Sequence, residues 1–352
     1  MKPSLDIKIG QMIMVGFRGT HVSENSPIVE CIRDCHLGGV WLCDYRPPSG
    51  EALGNVSTEP QLCELVASLK QSARIPLLMA IDAEGGNVIR LKPEYGFPPT
   101  RTAAELGEAG DVEATRAQSR QIAESLRGLG FNLNFAPVVD VNINPENPAL
   151  GQRGRCFSSD PGVVGELASV FVEEHRRVGI GCAVKHFPGQ GSAASDTHVG
   201  FVDASEGWSR DELKPFATLI QRGLADAMLT GHMYIKQLDL KNPATLSPAV
   251  ATELLRDELG FDGVLFSDDL GMGAIEGNYS FDEAIALAIE AGVDVMLHAN
   301  TEVHHPDIGR RIFDSIGRHV RSGRLSEERI DVSYQRIMRL KNRLTADDST
   351  TL

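Results

Sequence analysis

The residues best suited to chemistry lie between Lys185 and His198, in the run KHFPGQGSAASDTH. It opens with two basic groups at the end of an apolar stretch, turns through Pro-Gly-Gln-Gly, and closes on Asp196 and His198. In an extended segment, side chains at i and i+2 point to the same side. Asp196 can therefore hold the His198 imidazole by one ring nitrogen and leave the other to carry a proton. An imidazole oriented by a carboxylate is a working acid/base unit near neutral pH. The Gly- and Ser-rich surroundings predict a loop that moves. An isolated Asp-x-His is far more often a solvated loop pair, so its company matters. A second motif, FSDDLGM over 266–272, offers the carboxylate of Asp268 at the end of another apolar run. The two can act together only if the fold brings these ends to one place.

The segments between them alternate in type. Eight short apolar runs read as strands: 12–17, 38–43, 76–82, 133–141, 182–187, 227–233, 263–269 and 294–299. Most lack polar/apolar alternation, as parallel strands buried on both faces do. Amphipathic stretches at 22–35, 58–73, 111–130, 161–179, 209–223, 247–260, 281–292 and 305–323 read as helices, with another at 326–344. Expected caps include Ser23 or Asn25, Thr58 or Ser57, and a capping box of Ser209 with Glu212. Eight strands alternating with eight helices is the count of a (β/α)8 barrel, here a single catalytic domain over 1–345 with an extra C-terminal helix and a polar tail, 346–352. An open doubly wound sheet would more often begin on a GxGxxG turn, which the first strand lacks.

Bulk properties narrow the function. Of 352 residues, 34 are basic and 48 acidic, for a net charge of −14. A nucleic-acid binder would normally present a basic surface, so none is expected as partner. No run is long and apolar enough to span a bilayer, and no leader peptide is evident; the expectation is a cytoplasmic protein without a membrane partner. Cys31, Cys35 and His36 have spacing compatible with zinc, but no second ligand pair lies near, and reduced, buried thiols are expected for all six cysteines. No metal and no cofactor are expected.

Polar residues at strand C-termini read as catalytic in this architecture. Asp82 ends the third strand, followed by Glu84-Gly85-Gly86 and Arg90. Asp140 ends the fourth, Lys185-His186 the fifth, His232 the sixth, Asp268-Asp269 the seventh and His298 the eighth. A site built from His186, His232 and His298 stays open on sequence, although Lys185 and Arg90 would crowd a metal. Cations beside several carboxylates suit a hydroxyl-rich ligand, and a sugar fits that description.

At these residues the chain resembles glycoside hydrolase family 3, in its single-domain β-N-acetylglucosaminidase branch. The resemblance runs in order through IGQMIMVGFRG (9–19), DAEGGNVIR (82–90), NFAPVVDV (134–141), GRCFSSDP (154–161), KHFPGQG with DTH (185–198), PATLSP (243–248) and FSDDLGM (266–272). It implies a retaining double displacement on the terminal N-acetylglucosamine of a small glycan or muropeptide-type fragment. Asp268 would be the nucleophile, His198 the acid and then the base, and Asp196 its orienting partner. Asp82, Arg90, Arg155, Lys185 and His186 match residues that bind hydroxyls of the terminal sugar, and Met272 lies beside it. Gln190 replaces the second His of the usual PGHG, while Ala83 and Asn87 stand where Gln and a basic residue are common. Alternatives on the same scaffold are a phosphorylase or transglycosylase and another β-glycosidase; a sugar-binding barrel without activity would be expected to lack the nucleophile or the dyad.

Overall fold

The computed structural model describes residues 3–45, 53–197, 200–301 and 303–346. Its strands are β1 (Ile13–Val15), β2 (Gly39–Leu42), β3 (Leu78–Ile81), β4 (Ala83–Gly85), β5 (Val88–Ile89), β6 (Leu133–Asn134), β7 (Gly181–Phe187), β8 (Ala227–Thr230), β9 (Val264–Phe266) and β10 (Met296–His298). Eight form one parallel sheet in the order β10-β1-β2-β3-β6-β7-β8-β9, and a bridge between Phe266 and Val295 joins its two edges. The result is the expected (β/α)8 barrel. All residues of these eight strands are buried, which explains their unbroken apolar runs. β4 and β5 form a small antiparallel ribbon that the sequence did not suggest.

The helices are α1 (Leu5–Gln11), α2 (Pro27–Asp34), α3 (Glu59–Gln71), α4 (Ala103–Ala109), α5 (Val112–Gly128), α6 (Pro161–Arg177), α7 (Lys214–Gln221), α8 (Gly273–Glu276), α9 (Phe281–Ala291), α10 (Ile308–Arg321) and α11 (Glu327–Ala346). Between α7 and α8 the chain winds as a π-helix over Ala249–Glu258. The Thr58 cap is present, its hydroxyl accepting from Gln61 N–H. α2 starts later than expected, with Ser26 as N-cap instead of Ser23 or Asn25; the Ser26 hydroxyl accepts from Ser23 N–H instead of capping. The Ser209–Glu212 box is also corrected. Ser209 caps a short 3-10 turn by accepting from Asp211 N–H, but Glu212 turns into the interior. A capping box does form at Thr102 and Glu105, before the unanticipated α4. The fourth strand is much shorter than 133–141, because past Asn134 the chain leaves the ladder and only Val138 bridges back, to Lys185.

Five of the six cysteines are buried and none forms a disulfide. Cys31 and Cys35 hydrogen-bond each other. Among the described residues no group of His, Cys, Asp and Glu could hold a metal ion, and no helix is long and apolar enough to cross a membrane.

Candidate active site

A cavity of about 310 Å³ opens at the C-terminal ends of the strands, where Lys185 near the end of β7 meets Asp82 and Asp268 just beyond β3 and β9. Its base is a continuous ion network. Lys185 Nζ donates to Asp82 Oδ1 and Glu84 Oε1, each at 2.7 Å. Arg155 grips Glu84 with Nε and Nη2 at 2.9 and 2.8 Å. Arg90 spans Asp82 and Asp44 at 3.5 Å each, and Trp41 Nε1 donates to Asp82 Oδ2 at 3.1 Å. Burial alone would raise Asp82, but Lys185 and Arg90 outweigh it and hold its carboxyl well below the usual range. Burial is likewise outweighed at Glu84, where Arg155 and Lys185 hold the carboxyl at about 2. The carboxylates raise Lys185 and Arg155 against their own desolvation. These charges stay fixed throughout the neutral range, so the network presents permanent donors and acceptors to whatever fills the cavity.

His186 is held from both sides. Its Nδ1–H donates to Asp140 Oδ2 at 2.7 Å, and Arg155 Nη2 approaches Nε2 at 3.5 Å. A guanidinium can only donate, so in this contact Nε2 is the acceptor. Asp140 itself does not line the cavity; it accepts from His186 N–H and Gln190 N–H as well.

Asp268 and Asp269 differ in use. Both line the cavity, but Asp269 Oδ1 is taken up by Gly271 and Ala299 N–H, both at 2.9 Å. Asp268 is half-buried and lines the cavity; its backbone N–H lies 3.3 Å from Thr230 Oγ1, and its Oδ1 accepts from Asp269 N–H. His232 stands behind the pair, with Nε2 2.9 Å from the Asp269 carbonyl oxygen and Nδ1 2.7 Å from Thr245 Oγ1. His298 points away from the cavity, into a separate void of about 240 Å³ with Glu276, His305 and Arg311, where burial lowers it to about 4. The expectation that six strand ends reach one rim is thus corrected: Asp140, His232 and His298 serve other partners, and the three histidines do not meet.

Of the expected site residues, Asp82, Arg90, Arg155, Lys185, His186, Asp268 and Met272 share the one cavity. Asp196 is half-buried in the loop after β7. His198 lies outside the described residues. Glu84, Trp41 and Asp44 belong to the network but were not singled out. Glu84 had a signal, since DAEGG places it two residues beyond a strand-end carboxylate. Trp41 had none, being one more apolar residue in a buried strand. Of the departures, Ala83 has its N–H and C=O both bonded to the Asn134 amide, and Asn87 donates to the Arg153 carbonyl at the cavity mouth. Arg153 also lines that mouth, so a basic group is present there from another segment.

Comparisons with known proteins agree with this geometry. The chain is 33% identical over 314 residues to a β-hexosaminidase A of Pseudoalteromonas piscicida, 82% of this chain and 52% of that protein. It is 31% identical over 342 residues to the β-hexosaminidase LpqI of Mycobacterium tuberculosis, 95% of this chain and 82% of that one. Among solved structures, a glycoside hydrolase family 3 β-N-acetylglucosaminidase from Paenibacillus superposes with a TM-score of 0.88 at 37% identity, over 99% of this chain and 64% of that one. The chain therefore spans about half the length of one relative, about two thirds of another and most of a third. The model of the glycosyl hydrolase family 3 N terminal domain matches residues 4–340, nearly all of the barrel, and the chain belongs to glycoside hydrolase family 3.

Proposed function

We propose that the chain is an exo-acting, retaining β-N-acetylglucosaminidase that removes terminal β-linked N-acetylhexosamine from small glycans or muropeptide-type fragments. The observation that carries this reading is Asp268, which faces into the same small cavity as the Asp82–Lys185–Glu84–Arg155 network. At about 310 Å³ the cavity is at the lower end of small-molecule sites (about 300–1,000 Å³), which suits one sugar ring at a chain end. The names of the relatives support the activity.

In this reading an Asp268 oxygen attacks the anomeric carbon as the glycosidic bond breaks. His198 gives its proton to the departing oxygen, and a glycosyl ester on Asp268 results. Water then attacks the same carbon, His198 takes its proton, and the ester bond to Asp268 breaks. Asp196 keeps the ring aimed. A neutral imidazole as base adds no second negative charge beside the ester. His186 is unsuited to this task, since both its nitrogens are engaged.

The test is a panel of aryl β-glycosides of N-acetylglucosamine, N-acetylgalactosamine, glucose and xylose, assayed with and without phosphate. Release of free sugar chiefly from the N-acetylglucosaminide supports the proposal. A sugar 1-phosphate as main product would make the enzyme a phosphorylase, and activity confined to the glucoside would make it another β-glycosidase.

A further inference from the structure

The loop after β7 has a root and a tip built on different terms. Through the root, 188–193, nearly every backbone polar group is held by a buried or half-buried partner. Trp208 Nε1 donates to the Pro188 carbonyl at 3.1 Å. Gln190 N–H goes to Asp140 and its carbonyl accepts from Asn147 Nδ2. Gly191 N–H donates to Glu212 Oε2 at 2.9 Å, and Ser192 N–H to the same oxygen at 3.4 Å. The Gly191 carbonyl accepts from Asn144 N–H, and the Ala193 carbonyl from Asn144 Nδ2. Two carboxylates thus take three successive amides, 190, 191 and 192. At the tip, Ala194 and Ser195 are exposed and Asp196 is half-buried.

Glu212 is the unexpected member. It is fully buried, and among the described residues no cation pairs with it. Its second oxygen, Oε1, has no hydrogen-bond partner. The titratable groups facing it are Asp140 from the segment after β6 and the Cys156 thiol. The chain is shaped to it: at Gly189, with φ +112°, a Cβ would come within 2.6 Å of Glu212 Cβ, and at Gly191 one would strike the Val141 carbonyl. Burying an unpaired carboxylate costs stability. A helix start needs no such arrangement, because Ser209 already caps the turn.

We propose that Glu212 is a positioning residue of the glycosidase: by fixing the Gly191 and Ser192 amides it sets how the root of the loop presents the tip that carries Asp196. The inference rests on the acid/base reading of Asp196 and His198 given above. It assigns no contact with substrate to Glu212. Desolvation, with Asp140 adding to it against the hydrogen bonds from Ser192 and Gly191, pushes Glu212 up to about 7. Its folded value therefore lies above the unfolded one. The cost of burying it is absent at low pH and complete above about pH 7, so removing it should not weaken the fold there.

The experiment compares Glu212→Ala, Glu212→Gln and wild type on N-acetylglucosaminides of graded leaving-group ability, with Asp268→Asn as control. Misplacing a general acid by about 1 Å costs roughly 10²-fold. Glu212→Ala should lower kcat for a disaccharide or alkyl glycoside by about that factor, and hardly change formation of the glycosyl-enzyme from a dinitrophenyl glycoside. Glu212→Gln, whose amide oxygen can accept the same two N–H groups, should restore most of the loss. Hydrogen exchange, which needs no substrate, should show residues 189–193 exchanging faster in Glu212→Ala while barrel strands are unchanged. Unfolding midpoints at pH 8 should be equal to or above wild type in both variants. Equal losses at every leaving group, a lowered midpoint at pH 8, or unchanged exchange at 189–193 would overturn the proposal. If wild type is inactive on the series, the functional reading fails and exchange alone judges the clamp. If wild type is active, Asp268→Asn is dead and Glu212→Ala behaves as wild type, only the clamp is refuted.

Discussion

Buried ions collect at both ends of this barrel, and the two collections differ in what they face. At the C-terminal end, Asp82 and Glu84 meet Lys185, Arg90 and Arg155 around an open cavity. At the N-terminal end, Asp294 is fully buried and receives Arg256 Nη2 at 2.7 Å, Ser333 Oγ at 2.6 Å and Leu265 N–H at 3.1 Å, with Arg329 and Arg336 close by. Asp226 there pairs with Arg176 and Arg343. Both clusters satisfy their charges internally. The first lines the cavity it shares with Asp268 and Met272, whereas the second borders a separate hollow of about 310 Å³ lined by Arg176, Asp226, Asp262, Arg336, Arg339 and Arg343. At the first mouth the ionic groups line the proposed site, and at the second they tie α6 and α11 to the segment before β8. A buried ion network is therefore no evidence of function by itself; what lines the space beside it decides.

That contrast can be broken by substitution. The largest effect is expected at Asp268. Asp268→Asn should lower kcat/KM by at least about 10³-fold and leave the unfolding midpoint nearly unchanged, and a mechanism-based fluoro-sugar should label Asp268 in wild type. A label on Asp269 would reverse the assignment of the two carboxylates. At the other mouth the effects should trade places. Asp294→Asn takes the carboxylate partner from Arg256 and Arg329, while Arg336 keeps Asp262, and should cost about 3–5 kcal/mol in urea unfolding, with kcat/KM unaltered at a temperature where the variant is folded. A large loss of activity in the folded variant would show that the two ends are coupled.

In the proposed mechanism Asp196→Ala should have an intermediate, selective effect, because the imidazole remains and only its proposed orienting partner is lost. About a tenfold loss is expected for substrates with poor leaving groups and little for activated ones, read as kcat/KM against leaving-group pKa. Uniform losses would remove Asp196 from the acid/base pair.

The smallest effect concerns Lys341, which is 2% exposed and pushed down to about 7 by burial. Its Nζ donates to Gln11 Oε1 and the Gly38 carbonyl, each at 2.6 Å, and no carboxylate accompanies them. Its folded value lies below its unfolded value near 10. The unfolded chain therefore binds the extra proton between about pH 7 and 10, and stability should rise with pH across that window. Lys341→Met should flatten that rise, by an amount on the order of 2–4 kcal/mol, in unfolding curves compared with wild type. An identical pH dependence in both proteins would mean that Lys341 keeps its charge in the fold.

The barrel was legible because its strands are buried on both faces, so each reads as a short apolar run whatever lies around it. The site was legible where a polar residue ends such a run, as at Asp82, Lys185 and Asp268. It misled where a second contact captures the polar group first. His232 and His298 end strands as Lys185 does, yet a backbone carbonyl takes one and the helix layer encloses the other. Local pattern failed in the same way at helix starts. Thr102-x-x-Glu105 and Ser209-x-x-Glu212 carry the same capping signal, but only the first is exposed enough to close on itself. Two backbone amides 20 residues away take the second glutamate, and no window of a few residues can register that.

The bond from Lys341 to Gln11 spans 330 residues. β1 also needs β10 beside it, and α1 is tied to α11 through Lys8 and Asp331. Until a ribosome has made β10 the first strand has an unpaired edge, and until it has made α11 the lower mouth lacks the arginines of that helix. Half-barrels of nascent protein therefore have no native resting place for their earliest segments, and must be kept from pairing with each other until synthesis has passed residue 343.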